Sequence, residues 1–250
     1  MAKLYHINIE NDIKLPRYLL TCGDPSRARW ISEEFLTNSK ELANNREYHS
    51  FIGQFKGLEI VVSSMGIGSP STAIGLEEFA MCGVDTFIRV GTAGSLSPNV
   101  KHGSIVNVTG AVRDEGTSKQ YVPIEYPAIA NLDVILAIRK SAQKLQINNY
   151  FEGIAHSKDS FYSEHPEYTP QPELLKSKWK TWTLSNVLAT EMECSILFVL
   201  SQLRNWRSGS VLAIIGETWA EKPILGNPKS GQKEAILSAL ESFVILDEKN

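Results

Sequence analysis

Short apolar runs alternate with amphipathic runs along most of the chain, and this alternation restricts the folds open to it. Runs rich in β-branched residues, closed by glycine or polar turns, predict strands over 18–21, 59–64, 86–90, 104–109, 150–156 and 210–215. Amphipathic runs predict helices over 26–35, 71–82, 132–145, 191–203 and 231–246. We therefore predict an α/β fold, a mixed and mostly parallel central sheet flanked by helices, in a single domain over residues 1–250.

Size and charge exclude several classes of function. The chain has 250 residues, 42% of them hydrophobic, which is enough for a full core. Its 25 Lys and Arg residues against 28 Asp and Glu residues give a net charge of −3, so we expect no nucleic-acid partner. No apolar run approaches the ~20 residues that cross a bilayer, and no signal region opens the chain, so we expect no membrane partner.

The cysteines indicate a reducing compartment and no metal centre. Cys22, Cys82 and Cys194 are odd in number and widely spaced, which favours a cytoplasmic protein without disulfides. No Cys and His cluster has zinc-like spacing, and we predict no metal site. The least regular region is 159–186, which contains several prolines and aromatic residues. We predict that it forms a long ordered loop over a site.

Two arginines stand where predicted strands meet loops. Arg89 lies in the predicted strand 86–90, just before the small residues of 91–95, and Arg27 follows Gly23 after the strand 18–21. An arginine at a strand end requires an anionic partner, and glycine lets backbone amides approach an oxyanion closely. Since carboxyl ends of parallel strands lie at one edge of a sheet, both arginines point to a single anion, for which phosphate is the first candidate.

The segment 66–71, Gly-Ile-Gly-Ser-Pro-Ser, has part of a dinucleotide fingerprint. Ser71 stands where the fingerprint requires a third glycine, and no acidic residue follows at the end of the next strand. Two interpretations stay open. The segment is either a tight turn from strand to helix or a loop whose amides line a phosphate or a ribose.

Glu191 and Glu193 stand two residues apart at the start of a predicted helix. Their simplest role is to pair with the unsatisfied amides of that helix start. Apolar residues surround them, however, and a carboxylate near a core requires hydrogen-bond donors. The vicinal diol of a ribose supplies two donors, and Met192 offers an apolar surface to the sugar ring.

Taken together, these segments resemble one known family. Its motifs occur in order as Gly-Asp-Pro-x-Arg at 23–27, Asn-Arg-Glu-Tyr at 45–48, Gly-Ile-Gly-x-Pro-Ser at 66–71, Ile-Arg-x-Gly-Thr at 88–92, Asp-Ser-Phe-Tyr at 159–162 and Glu-Met-Glu at 191–193. As a set they resemble the nucleoside phosphorylases of the hexameric type, and most of all the members that act on uridine. The resemblance covers roughly residues 5 to 245 and implies the fold predicted above.

The resemblance implies a reaction and a role for each matching residue. Phosphate would attack the anomeric carbon of uridine through an oxocarbenium-like transition state, giving uracil and ribose 1-phosphate. The implied catalytic residues are Arg27, Arg89 and Glu193. The implied binding residues are Gly23, Arg27, Arg46, Arg89 and Thr92 for phosphate, His6, Thr92, Met192 and Glu193 for ribose, and Gly94, Phe161 and Glu191 for the base. Arg46 and His6 would come from a neighbouring subunit of a homohexamer with sites at a dimer interface.

The resemblance implies no cofactor beyond phosphate as co-substrate, and it leaves open a structural monovalent cation between subunits. The base site departs from the family pattern. Uridine-specific members carry a glutamine and an arginine where this chain has His165 and Glu167. We predict Lys158 and His165 as the donors to the two carbonyl oxygens of uracil. The alternative is a surface lysine and a loop histidine.

Glu217 supports a different base. In purine-specific relatives an acid follows the strand equivalent to 210–215 and protonates the purine, so Glu217 is a candidate general acid for a purine nucleoside phosphorylase. The alternative is a solvated loop residue, because Trp219, Glu221 and Lys222 nearby have a surface character. A hydrolytic nucleosidase and a noncatalytic nucleoside-binding protein are further alternatives on the same fold.

Overall fold

A computed structural model describes residues 3–218, 224, 225, 227 and 229–248 of the chain. It confirms the α/β fold and the mixed central sheet flanked by helices. Within these residues, no helix combines the length and the apolar character needed to cross a membrane.

The strands and helices have the following bounds. The strands are β1 (Tyr18–Cys22), β2 (Thr37–Asn45), β3 (Tyr48–Phe55), β4 (Leu58–Ser64), β5 (Thr86–Ser95), β6 (Ile105–Asp114), β7 (Ala128–Ile129), β8 (Tyr150–Lys158), β9 (Ala189–Glu191), β10 (Arg207–Glu217) and β11 (Ile224–Leu225). The helices are α1 (Pro25–Phe35), α2 (Ser69–Met81), α3 (Thr117–Tyr121), α4 (Leu132–Lys144), α5 (Pro172–Leu184), α6 (Cys194–Leu203) and α7 (Gln232–Asp247). Short 3₁₀ helices span Phe161–Glu164 and Pro166–Tyr168.

Part of the sheet closes on itself. Strand β5 pairs with β10 over its whole length, and β10 also pairs with β6. The ring continues from β6 to β8, from β8 to β9, and from β9 back to β5. The strands β1, β4, β3 and β2 extend the sheet outward from β5. A small closed barrel and an open sheet therefore share β5.

One edge of β5 carries a gap at which the site forms. β1 pairs with β5 from Thr86 to Arg89, on the edge opposite β10. β9 pairs with the same edge at Gly94 and Ser95. Between these two contacts no strand of the described chain covers this edge. The turns that follow β1 and β9 converge on the gap.

The two faces of β5 are buried under different helices. Phe87 belongs to an apolar cluster with Leu76 of α2 and Phe198 of α6. Ile88 belongs to a second cluster with Leu240 of α7 and residues of α1 and α4. Since successive side chains on a strand point to opposite faces, burial on both sides determines the register of β5.

The strand β5 is longer than the sequence predicts. The prediction of a loop after Val90 is wrong, because the strand continues through the small residues to Ser95 and stays paired with β10. A Cβ atom on Gly91 would lie 2.7 Å from Cδ2 of Leu212, and one on Gly94 would collide with the hydroxyl of Thr218. These glycines therefore permit close strand packing rather than a loop that exposes its amides.

Two further elements differ from the sequence prediction. The antiparallel strands β2 and β3, which no pattern predicted, form a hairpin whose turn contains Arg46, a residue with positive φ (54°). The prediction of a long loop over 159–186 is wrong as well, since this region contains the 3₁₀ helices and α5. Leu175, Trp179 and Trp182 form a half-buried apolar stripe on α5, and the two tryptophans pack against His156, so this part of the region is a packed helix and not a loop.

Candidate active site

A cavity of about 680 Å³ opens at the gap on the edge of β5. Its polar and charged lining residues are Asp24, Arg27, Arg89, Thr92, Lys158, Glu164, Thr190, Glu191, Glu193 and Thr218. Ten of the residues predicted for the site line this one cavity: Gly23, Arg27, Arg89, Thr92, Gly94, Lys158, Phe161, Glu191, Met192 and Glu193. The side chains of separate segments thus meet at one place, while their individual roles stay predictions.

Arg27 lies in the first turn of α1, directly after β1. The side chain of Asp24 caps this helix by accepting a hydrogen bond from the amide of Ser26 at 2.8 Å, which fixes where the helix begins. Arg27 is partly buried, and its guanidinium makes no hydrogen bond or ion pair with any described residue. Burial lowers the pKa of Arg27, and the nearby charge of Arg89 acts in the same direction. The cavity wall therefore carries a cation without an anionic partner among the described residues.

Arg89 is the buried cation of the site. It lies in β5 with 5% of its surface exposed, and its guanidinium contacts the carboxylate of Glu193. Its Nε atom is 3.5 Å from Oε2 of Glu191. Burial alone would lower the pKa of Arg89, but the charges of Glu193 and Glu191 outweigh it and raise that pKa. The arginine is therefore held charged within the apolar core.

Glu193 connects Arg89 to the start of α2. One carboxylate oxygen accepts a hydrogen bond from the amide of Gly68 at 2.6 Å, and the other contacts Arg89. Ser69 donates to the carbonyl oxygen of Met192 at 3.0 Å, so the same helix start also holds the preceding residue. Burial raises the pKa of Glu193, and the charge of Arg89 opposes this effect.

The contact between Gly68 and Glu193 explains the glycine-rich segment 66–71. The segment is a tight turn from β4 into α2, and Gly68 has a φ of +94° that favours glycine. Its amide binds a protein carboxylate rather than a phosphate. The structure thus shows the tight turn, and because Gly66 and Ile67 also line the cavity, contact of the segment with a ligand stays a prediction.

Glu191 serves the protein backbone. Its carboxylate accepts hydrogen bonds from the amides of Glu193 at 2.7 Å and Cys194 at 2.9 Å, and from the hydroxyl of Ser157. The carboxylate thus caps the start of α6, the simplest role considered from the sequence. These contacts make Glu191 a support for Glu193 and Arg89, and since Glu191 also lines the cavity, its predicted contact with the base stays a prediction.

The far end of the cavity contains Lys158 and Phe161. Lys158 ends β8 and is only 3% exposed. Its Nζ atom lies 2.9 Å from Oγ1 of Thr190, 2.8 Å from Oε1 of Glu164 and 5.9 Å from the ring centre of Phe161. Phe161 is 57% exposed and presents its ring beside the buried lysine.

His165 requires a correction. Its side chain is 40% exposed, lies 3.7 Å from Glu167, and is not among the residues that line the cavity. Glu164 lines the cavity instead, because a turn of 3₁₀ helix brings it back toward Lys158. The sequence analysis also missed Thr190 and Thr218. No motif marks these three residues, since strand ends and a short helical turn bring them to the cavity.

Glu217 also differs from both interpretations of the sequence. It is only 8% exposed, so it is not a solvated loop residue. Its carboxylate accepts a hydrogen bond from the amide of His102 at 3.3 Å and lies 3.5 Å from Nζ of Lys101. Gly216 and Thr218 line the cavity, and Glu217 between them points away from it. Trp219, Glu221 and Lys222 lie outside the described residues.

His6 and Arg46 lie outside the cavity of their own chain. The Nδ1 atom of His6 is 2.6 Å from a carboxylate oxygen of Glu78. Arg46 is exposed, and its guanidinium lies 5.5 Å from the ring centre of Tyr5. Both positions are compatible with the prediction that these residues serve a neighbouring subunit, which stays a prediction.

Comparison with known proteins identifies the family. A family model described as the phosphorylase superfamily matches residues 17–236. The chain belongs to this family. Among curated phosphorylases, the uridine phosphorylase of Treponema pallidum is 41% identical over 213 residues, covering 85% of this chain and 81% of that protein. The uridine phosphorylase of Thermococcus kodakarensis is 40% identical over 247 residues, covering 98% of this chain and 87% of that protein.

A solved phosphorylase structure has the same fold over nearly the whole chain. The uridine phosphorylase of Vibrio fischeri aligns with a TM-score of 0.85 at 32% identity, and the alignment covers 98% of each chain. The resemblance seen in the sequence motifs is therefore confirmed at the level of family and fold.

The support role of Glu191 can be tested by its removal. In Glu191→Ala, buried Arg89 and the amides of Glu193 and Cys194 lose an acceptor, which we expect to cost about 3–5 kcal/mol of unfolding free energy. Glu173→Ala, on the exposed surface of α5, should leave stability within about 0.5 kcal/mol of the wild type. Thermal unfolding, measured at one fixed protein concentration, compares the stability of the two variants with that of the wild type. Equal unfolding temperatures for the two variants would show that Glu191 does not support the site.

Proposed function

We propose that this protein catalyses the phosphorolysis of uridine to uracil and ribose 1-phosphate. The observation that carries the proposal is the unpaired guanidinium of Arg27, placed at the wall of the cavity that Met192 and Glu193 also line. A partly buried arginine without an anionic partner is suited to an anionic ligand. The uridine phosphorylases among the relatives support uridine as the nucleoside.

At the phosphate end, Arg27 and Arg89 would hold phosphate beneath the anomeric carbon. Thr92 adds a hydroxyl, and Gly23 leaves room for the anion because it has no side chain. Holding the nucleophile and the sugar at near-attack distance can supply about 7–11 kcal/mol in favourable cases. We therefore expect positioning to be the largest contribution of the protein to the rate.

At the sugar, Glu193 would accept hydrogen bonds from the ribose hydroxyls, while Met192 packs against the ring. The sugar gains positive charge as the glycosidic bond breaks, and the ionised carboxylate of Glu193 would stabilise that charge. Its contacts with Gly68 and Arg89 hold the carboxylate in one orientation before the substrate binds. At the base, Phe161 would stack on uracil and Lys158 would donate to a carbonyl oxygen of the departing anion.

The alternatives have less support. A purine nucleoside phosphorylase would need Glu217 as its acid, and the side chain of Glu217 points away from the cavity. A hydrolytic nucleosidase activates a neutral water molecule, so it requires no unpaired cation such as Arg27 to bind an anionic nucleophile.

Charge balance supports a partner subunit at the site. Within one chain, the carboxylates of Glu191 and Glu193 both pair with Arg89, which leaves Arg27 as a single unpaired charge, so a phosphate dianion would need further positive charge. An arginine from a second copy would supply it, and exposed Arg46 is the candidate. We therefore propose a homohexamer built from dimers with shared sites, acting in pyrimidine salvage in the cytoplasm. Phosphate is the co-substrate, no further cofactor enters the reaction, and a monovalent cation between subunits stays a prediction.

The reaction can be tested directly with purified protein. We expect release of uracil from uridine that requires added phosphate, with slower release of base from inosine. Spectrophotometric assays of uridine, thymidine and inosine, each with and without phosphate, measure both properties. Base release independent of phosphate would instead indicate a hydrolase, and nucleoside binding without any base release would indicate a noncatalytic protein.

The role of Arg27 can be tested against Arg29, two residues further along α1. Arg27→Ala removes a charged hydrogen-bond donor to phosphate worth roughly 1.5–3 kcal/mol, so kcat/KM for phosphate should fall roughly 10- to 150-fold. Arg29 is exposed and only loosely paired with Glu33 and Glu41 at 3.8 Å. Arg29→Ala should stay within about twofold of the wild type. An equal loss in both variants would remove Arg27 from the phosphate site.

Shared sites can be tested by co-expressing two impaired chains. If Arg27 and Arg46 act from opposite subunits, a heterodimer of Arg27→Ala and Arg46→Ala chains has one intact site. Random pairing of co-expressed chains should then give about a quarter of wild-type activity, which exceeds the roughly one tenth or less expected of Arg27→Ala alone. Restoration to no more than the level of the separate variants would show that Arg46 does not reach the cavity of a partner subunit.

A further inference from the structure

Lys158 and Glu164 form an ion pair at the base end of the cavity. Their side chains are 4% and 16% exposed, and both residues line the cavity beside Phe161. Charged groups that are withdrawn from water to this degree need hydrogen-bond partners for their remaining donors and acceptors. The free donors and acceptors of the pair therefore indicate what it binds.

The hydrogen bonds of the pair are incomplete. The ammonium of Lys158 has three N–H donors. Two of its contacts are with Oγ1 of Thr190 and Oε1 of Glu164. The other carboxylate oxygen of Glu164, Oε2, makes no hydrogen bond with any described residue. The pair therefore has one donor and one acceptor without a partner among the described residues, on two neighbouring side chains that line the cavity.

This arrangement matches one edge of uracil. The ring N3–H of uracil is a donor, and a carbonyl oxygen lies directly beside it. We propose that Glu164 is a specificity-determining residue: its Oε2 atom accepts from N3–H while Lys158 donates to the adjacent carbonyl oxygen. This inference rests on the proposed function, since it takes uridine as the nucleoside in this cavity.

The carboxylate adds a selectivity that Lys158 alone does not supply. Cytosine has an unprotonated ring nitrogen at the same position, and its lone pair would face the carboxylate of Glu164. An acceptor opposed to an acceptor is unfavourable in a site that excludes water. A methyl group on N3 of uridine would remove the donor and occupy the space next to Oε2. Glu164 should therefore favour the binding of uridine over that of cytidine and of N3-methyluridine.

The test measures binding without turnover. Calorimetric titration in phosphate-free buffer gives the dissociation constants of uridine and N3-methyluridine for the wild type and three variants. The preference is the dissociation constant of N3-methyluridine divided by that of uridine. We expect this ratio to exceed one in the wild type and to fall at least about tenfold in Glu164→Ala, because a hydrogen bond to a charged group is lost. Glu164→Gln keeps a carbonyl acceptor and should retain much of the preference.

The control is Glu167→Ala, which removes an exposed carboxylate from the same loop. Its preference should equal that of the wild type. If Glu164→Ala weakens the binding of both compounds by the same factor, Glu164 serves only to hold Lys158 and the inference is overturned. Failure of uridine to bind the wild type also overturns it. Binding with the expected preference but without base release in added phosphate would leave the inference standing and remove the proposed reaction.

Discussion

The buried contact between Arg89 and Glu193 organises the rest of the site. Arg89 lies inside a strand that is covered on both faces, where an isolated charge would be very costly. Arg89 keeps its positive charge there because the carboxylates of Glu193 and Glu191 lie next to it and raise its pKa. Those carboxylates are in turn held by the amides of Gly68, Glu193 and Cys194. The charge cluster thus joins β5 to the starts of α2 and α6.

Strand pairing creates the space beside this cluster. Because β1 and β9 pair with different parts of the same edge of β5, a stretch of that edge has no described strand beside it. The turns after both strands lead into helices, so the starts of α1 and α6, capped by Asp24 and Glu191, lie beside the gap. The apolar clusters on either side of β5 hold these elements in place. A cavity lined by cations and carboxylates is the consequence of the sheet topology.

The two ends of the cavity differ in how far the sequence reveals them. The proposed phosphate and ribose ends contain Arg27, Arg89 and Glu193, which stand in ordered motifs and can be recognised from the sequence alone. The proposed base end contains Lys158, Glu164 and Thr190, and of these only Lys158 was predicted from the sequence. Residues at the base end come from strand ends and short turns, whose direction depends on pairing with distant segments.

The sequence by itself determined the alternation of strands and helices, the family, and the residues that carry charge into the site. These features depend on local pattern and on residue type, which can be read one segment at a time. Only the tertiary structure decided that β5 continues to Ser95, that Glu217 points away from the cavity and that Glu164 replaces His165 beside Lys158. The physical reason is that the face on which a side chain emerges depends on strand register and on the turn that follows, and both are determined by contacts between segments far apart in the chain.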